Sequence, residues 1–340
     1  MPVARLTFGP GISQIRAAGG DVIPSFGGYT ADHGWTDIAD SCTSTRAVAK
    51  AYEKVITAYH VSRLDLDVED NSLTRPAAID RRNRAIHLVQ RWAARHHRTA
   101  EFVYTLPTST SGLGANGLRV LRSAKRHHAR IKVVNIMTFD YYDGGHHEMA
   151  DDTKSAARAL VGQLHQMHPH MSRRQLWAKV AITEMIGIDD FGPAETFTVA
   201  DARAVRKWVD SKHLAELSFW ALQRDNGSCP GTGGSDSRSG PAQSRWRFSH
   251  IFEPFTSGWA VDQAKTCVTG SASSGSSARA CTCRESLFRA TTVGAPGGCF
   301  QSVNGQLAVP QLVAVQSPFP SATRADRNLL GLSVGQGRCS

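Results

Sequence analysis

The chain has 340 residues, 41% hydrophobic and 20% charged, ordinary globular proportions that allow a sizeable core. No apolar run approaches the roughly 20 residues that a membrane-spanning helix requires, so no membrane partner is expected. The formal charge of +10 is scattered over helical segments such as Arg81-Arg82-Asn83-Arg84 and Arg91-Trp92-Ala93-Ala94-Arg95; without an aromatic stacking platform these are solvated helix faces, not a nucleic-acid surface.

At the start, Met1-Pro2-Val3-Ala4-Arg5 lacks the long apolar run of a secretory leader, which by itself points to the cytoplasm. Asp21 to Gly28 reads as a short buried strand closed by Ser25-Phe26-Gly27-Gly28, whose glycines permit unusual backbone angles and the close approach of other groups. On its own that is an ordinary strand-to-loop turn. A helix over 44–58 follows, opened by the capping candidate Ser44.

The next strand, over 63–68, carries Arg63-Leu64-Asp65-Leu66-Asp67-Val68-Glu69. Side chains alternate along a strand, so Asp65, Asp67 and Glu69 project together while Leu64, Leu66 and Val68 pack behind them. Adjacent carboxylates repel one another and resist desolvation, which raises the pKa of at least one of them, as a general acid working near neutral pH requires. The same residues read equally as a solvated edge strand with an acidic outer face, or as oxygen ligands of a divalent cation.

Helices are expected over 76–96, opened by Thr74, over 115–128, over 152–168, opened by Asp151, and over 199–212, with strands over 101–106, 131–139, 178–183 and 215–222. Strand and helix in alternation mean a parallel sheet. Six such strands fall two short of the eight in a closed barrel. The pairs His96-His97 and His127-His128 close helices, where a partly charged imidazole is favoured. His146-His147-Glu148, with Asp151 and Asp152 close behind, lies in a loop, where adjacent histidines seldom converge on one ion; no metal or other cofactor is expected.

From residue 257 the character changes. Ser271 to Arg279 is low-complexity linker material, and the tail 257–340 is expected to be irregular and mostly disordered. Five of the seven cysteines lie in it, and Cys281-Thr282-Cys283 is too closely spaced for half of a zinc site. Only Cys42 and Cys229 fall in the body, and an odd total forbids complete pairing within one chain.

Ser25-Phe26-Gly27-Gly28 followed downstream by Asp65-Leu66-Asp67-Val68-Glu69 resembles the paired signature of family 18 glycoside hydrolases, the chitinases and their relatives. Further stretches resemble that family in order: Thr105-Leu106-Pro107, Asn135 to Tyr141, Ala181 to Gly187, Leu217 to Ala221, and a closing segment through Trp246 and Phe255. The resemblance spans roughly residues 10–256. It implies an α/β fold, a TIM (β/α)8-type barrel lacking its first two strands, since the Ser25 segment ends the family's third strand.

The resemblance also implies the chemistry. Family 18 enzymes are substrate-assisted retaining glycosidases. Glu69 would be the general acid and base, Asp67 would hold the acetamido group of the sugar, and Asp65 would share a proton with Asp67. Ser25, Gly27, Gly28, Met137, Asp140, Tyr141 and Trp220 would line the substrate site, with Trp220 under the sugar ring. Two departures are visible: Phe139 stands where the family often carries tyrosine, and Ser62 replaces the first aspartate of the longer signature. The implied protein is a secreted, monomeric chitinase acting on chitin or N-acetylglucosamine oligomers. The alternatives are an endo-β-N-acetylglucosaminidase, and a non-catalytic glycan-binding protein or inactive remnant.

Overall fold

The computed structural model describes residues 3–231, 237–255 and 288–291. Helix α1 (Val3–Ala17) precedes strand β1 (Val22–Gly27), the short helices α2 (Tyr29–His33) and α3 (Ile38–Ser41), helix α4 (Thr45–Tyr59) and strand β2 (Arg63–Asp67). After a 3-10 turn over Asp70–Thr74 come α5 (Pro76–Arg95), β3 (Glu101–Pro107), α6 (Ala115–Arg126), β4 (Ile131–Met137), α7 (Met149–Met167), α8 (Arg173–Trp177) and β5 (Val180–Met185). A hairpin of β6 (Gly187–Asp189) and β7 (Gly192–Phe197) intervenes before α9 (Val199–Lys212), β8 (Glu216–Trp220), α10 (Arg247–Phe252) and β9 (Phe288–Thr291).

The strands and long helices expected from the hydrophobic pattern are all present. Seven strands form one sheet in the order β8-β5-β4-β3-β2-β1-β9, every neighbouring pair parallel. Strand follows strand in chain order from β1 to β8, with the hairpin set aside, as in the α/β barrel architecture. On the far edge of β1 the backbone of β9 pairs with Val22 to Ser25. Apart from those four residues, the expected disordered tail lies outside the described residues.

The sheet is curled. Arg63, at the start of β2, bonds Glu101 on adjacent β3 at 3.1 Å and also Glu216 on β8. β8 is the fourth neighbour of β2, roughly 19 Å away across a flat sheet of ordinary strand spacing. Contact between them therefore requires the sheet to bend back on itself, as barrel strands do.

Two apolar layers result. On the outer side Leu64, Leu66, Val68, Phe102, Tyr104, Ile136 and Ile182 pack with the helices in the main core, while Val103, Val133 and Ala181 form a separate cluster. Alternation puts that cluster on the inner face of the curl. Helix starts match chemistry unevenly. Ser44 caps α4 by accepting the Ala47 N–H. Thr74 does not cap α5: Arg75 stands at that position with Pro76 in the first turn, where a missing N–H costs nothing. Asp151 lies inside the first turn of α7, pairing with Lys154 at 2.8 Å. The reciprocal caps at Ser172 and Thr198 went unread in the sequence. His96 and His127 do end α5 and α6. Cys42 and Cys229 are both disulfide-bonded.

Candidate active site

A row of polar side chains crosses the inner face at one height. Ser25 donates to Asp65 Oδ2 at 2.5 Å and Thr105 to Asp65 Oδ1 at 2.8 Å. Asn135 donates to Thr105 at 3.0 Å and to Thr183 at 2.7 Å, and Thr183 meets Ser218 at 2.6 Å. Six strands, β1, β2, β3, β4, β5 and β8, are thus stitched together, each bond adding about 0.5–1.5 kcal/mol net. Ser25 and Asp65, two of the expected site residues, are brought together here, buried.

Two residues further along each strand, on the same face by alternation, stand Gly27, Asp67, Met137 and Trp220. β1 and β2 approach closely there: Gly27 pairs with Asp67, and the Gly28 N–H donates to the Asp67 carbonyl at 2.9 Å. Gly27 has φ +101, and a Cβ on it would lie 1.9 Å from the Asp67 carbonyl oxygen. Gly27→Ala is therefore expected to cost at least about 2 kcal/mol from strain and overlap, read as a lower denaturant midpoint; a midpoint within error of wild type would contradict this crowding.

Glu69 follows with an extended backbone at the head of the 3-10 turn, and its N–H donates to Asp32 Oδ2 at 2.5 Å. Burial first and the Asp140 charge next push its carboxyl up to about 7, against the Tyr29 backbone N–H, which lowers it. Burial, Glu69 and Asp32 push Asp67 well above the usual carboxylate range. Asp67 Oδ1 is buried with no hydrogen-bond partner among the described residues. Asp32, which sequence reading passed over, is itself raised to about 9 by burial and then by Asp37, with Arg82 opposing.

The loop after β4 brings Asp140 near Glu69, and burial followed by Asp190 raises Asp140 to about 6. The β6–β7 hairpin holds this loop: Asp189 accepts the Asp140 N–H at 3.2 Å, and Glu195 accepts those of Tyr141 at 2.8 Å and Tyr142 at 3.2 Å. Asp140 and Tyr142 have positive φ, so strand alternation fails beyond Met137. Tyr141 is consequently not where the sequence reading put it. Its ring lies 4.8 Å from that of His147, and its hydroxyl sits among Glu184, Asp152 and Thr153, on the helix side of β5. Tyr142 instead hydrogen-bonds Asp140 and stands exposed beside Phe191. His147 is held between Asp143 and Asp152, each at 2.9 Å, as an ion-paired loop anchor. Asp189 and Glu195 had a sequence signal, the Asp189-Asp190-Phe191-Gly192 turn between two apolar runs.

Residues 11–168 match the family model for Glycosyl hydrolases family 18, a span that includes β1, Glu69 and the Asp140 loop. The chain is 31% identical over 258 residues to the probable bifunctional chitinase/lysozyme of Escherichia coli (strain K12), covering 72% of this chain and 28% of that protein. It is 31% identical over 223 residues to endochitinase 11 of Metarhizium anisopliae, covering 63% of this chain and 42% of that one. The chain thus spans less than half the length of these curated relatives. The catalytic domain of a hyperthermophilic chitinase from Pyrococcus furiosus superposes with a TM-score of 0.65 at 27% identity, over 75% of this chain and 79% of that one. A catalytic-site mutant of active domain 2 of the thermostable chitinase from the same organism, solved with chito-oligosaccharides, superposes with the same score and coverage at 26% identity.

Proposed function

The chain belongs to glycosyl hydrolase family 18, and from that premise we propose that it is a chitinase, cleaving β-1,4-linked N-acetylglucosamine polymers from within with retention at the anomeric carbon. The observation that carries this reading is the pair at the end of β2: Glu69 raised to about 7 beside Asp67, whose buried Oδ1 has no hydrogen-bond partner among the described residues.

Protonated Glu69 donates to the glycosidic oxygen as the acetamido carbonyl oxygen of the preceding sugar attacks its own anomeric carbon, and the C1–O bond breaks. Asp67 accepts the acetamido N–H and aims the carbonyl. The oxazolinium ion that forms needs no protein nucleophile. Glu69, now a carboxylate, takes a proton from the water that attacks C1 and reopens the ring, which restores the acid. Asp65 acts through the inner row, where Ser25 and Thr105 hold both of its oxygens and fix the height of β2. Met137 and Trp220 floor the sugar site, Gly27 and Gly28 let β1 approach Asp67, and Asp140 with Tyr142 binds the acetamido group from the β4 loop. Disulfide-bonded Cys42 and Cys229 support an extracellular protein.

The expected result with an N-acetylglucosamine oligomer is β-anomeric product by NMR, and no cleavage next to a deacetylated sugar. Equal cleavage of the deacetylated polymer, or α-anomeric product, would overturn the reading. Because Glu69 must begin protonated, kcat/KM falls about tenfold per unit as pH rises beyond about 7. Asp140, raised only to about 6, is already charged there and pushes Glu69 upward. Removing that charge in Asp140→Asn lowers the Glu69 pKa and moves the alkaline limb toward lower pH; a limb that stays in place would leave Asp140 with a binding role alone.

A further inference from the structure

Beneath the loop that follows β1 lies a second group of acids that the proposed hydrolysis does not use directly. Asp32 on α2, Asp37 at the cap of α3 and Asp40 within α3 are all buried. One carboxylate oxygen from each lies within 4.8 Å of the other two. Ligand oxygens on opposite sides of a calcium ion stand about 4.6–5.2 Å apart, so the three oxygens are close enough together for one ion.

Bonding points to an occupant. Three buried carboxylates face one buried guanidinium, Arg82, which bonds Asp37 at 2.6 Å. The next cation, Arg75, is 4.0 Å from Asp40, exposed, and stacked over the Trp35 ring at 4.2 Å. Arg81 donates to the Ala39 carbonyl, and its charge acts on Asp40 without a hydrogen bond to it. Asp32 and Asp40 each commit one oxygen, to the Glu69 N–H and to Ser72, while Asp32 Oδ1 and Asp40 Oδ1 are buried and have no hydrogen-bond partner among the described residues, Asp40 Oδ1 being the oxygen 4.0 Å from Arg75. Two buried carboxylate oxygens outside any hydrogen bond and a third carboxylate, with no nitrogen or sulfur donor among them, suit a hard cation.

We propose that Asp32, Asp37 and Asp40 hold a calcium-type divalent cation that braces the α2–α3 segment against the catalytic strand. Since Asp32 also holds the Glu69 backbone, the ion would stiffen the position of that residue, but its binding stands apart from whether the chain cleaves chitin. The test is calorimetric titration of the chelator-stripped chain with calcium chloride and with magnesium chloride, alongside thermal unfolding in each salt.

The expected result is one calcium ion per chain, weaker magnesium binding, and a melting temperature that rises with calcium concentration. Asp40→Asn, which keeps the shape and removes one charged ligand, should weaken calcium binding at least tenfold, and Asp32→Asn should do the same from the other helix. Asp151→Asn, an exposed carboxylate elsewhere, should bind as wild type. A stripped wild-type chain that takes up neither ion overturns the proposal however the variants fold, and so does calcium binding undiminished in a folded Asp40→Asn or Asp32→Asn chain.

Discussion

Glu69→Gln is expected to lower turnover of an N-acetylglucosamine oligomer by about 10²–10⁴-fold, the range for loss of a positioned general acid. Glutamine keeps the side-chain shape but offers no transferable proton, so oligomer binding should persist while hydrolysis fails. The variant should not be less stable at pH 8. The Glu69 carboxyl is raised from its ordinary 4.5 to about 7, so the fold favours its protonated form. That contribution is complete below about 4.5 and is lost as pH rises to about 7. At pH 8 the ionised carboxylate weakens the fold, and a neutral glutamine removes the burden. Unchanged turnover would remove Glu69 from the chemistry, and a lower melting temperature would trace lost activity to misfolding. Equal glycan binding by wild type and variant, with turnover in neither, would favour a lectin.

Arg82→Met is expected to cost about 3–5 kcal/mol, as breaking a buried pair does when one charge is left behind. Arg82 is 1% exposed and Asp37 4% exposed. Without the guanidinium, Asp37 stands unneutralised beside Asp32 and Asp40. Against a total stability of about 5–15 kcal/mol, such a loss should be plain in a denaturant midpoint. Arg82→Met combined with Asp37→Asn should recover part of it, because the stranded charge leaves with its partner. A loss below about 1 kcal/mol for the single variant would mean that water reaches the pair and relaxes it.

How much of this was legible in the sequence depends on how local each signal was. The parallel sheet was readable because period-2 and period-3.6 segments alternate, and the face shared by Asp65 and Asp67 because β2 keeps regular alternation. Tyr141, which the family resemblance implied at the substrate site, points to the helix side because the chain leaves the strand after Met137: positive φ at Asp140 and Tyr142 turns it so that Tyr142, not Tyr141, reaches Asp140. Asp32 gave no signal at all. It stands among dissimilar residues in a connecting segment, and its importance comes only from a fold that sets α2 against the end of β2, where its carboxylate meets the Glu69 N–H. Asp189 and Glu195 had a weaker signal than the long strands: the Asp189-Asp190-Phe191-Gly192 turn marks their hairpin, whose strands are too short for their period to show.

The stitched row from Ser25 to Ser218 also acts as an alignment code for the strands. Sliding any one strand by a single residue would turn its contribution outward, under the helices, and bring an apolar neighbour to the interior. A buried hydroxyl or amide stranded there costs about 1–3 kcal/mol, and a stranded Asp65 more. Six strands carrying such a mark make misregistered packings mutually incompatible, and the one arrangement that satisfies all of them is the one that delivers Glu69 to the rim.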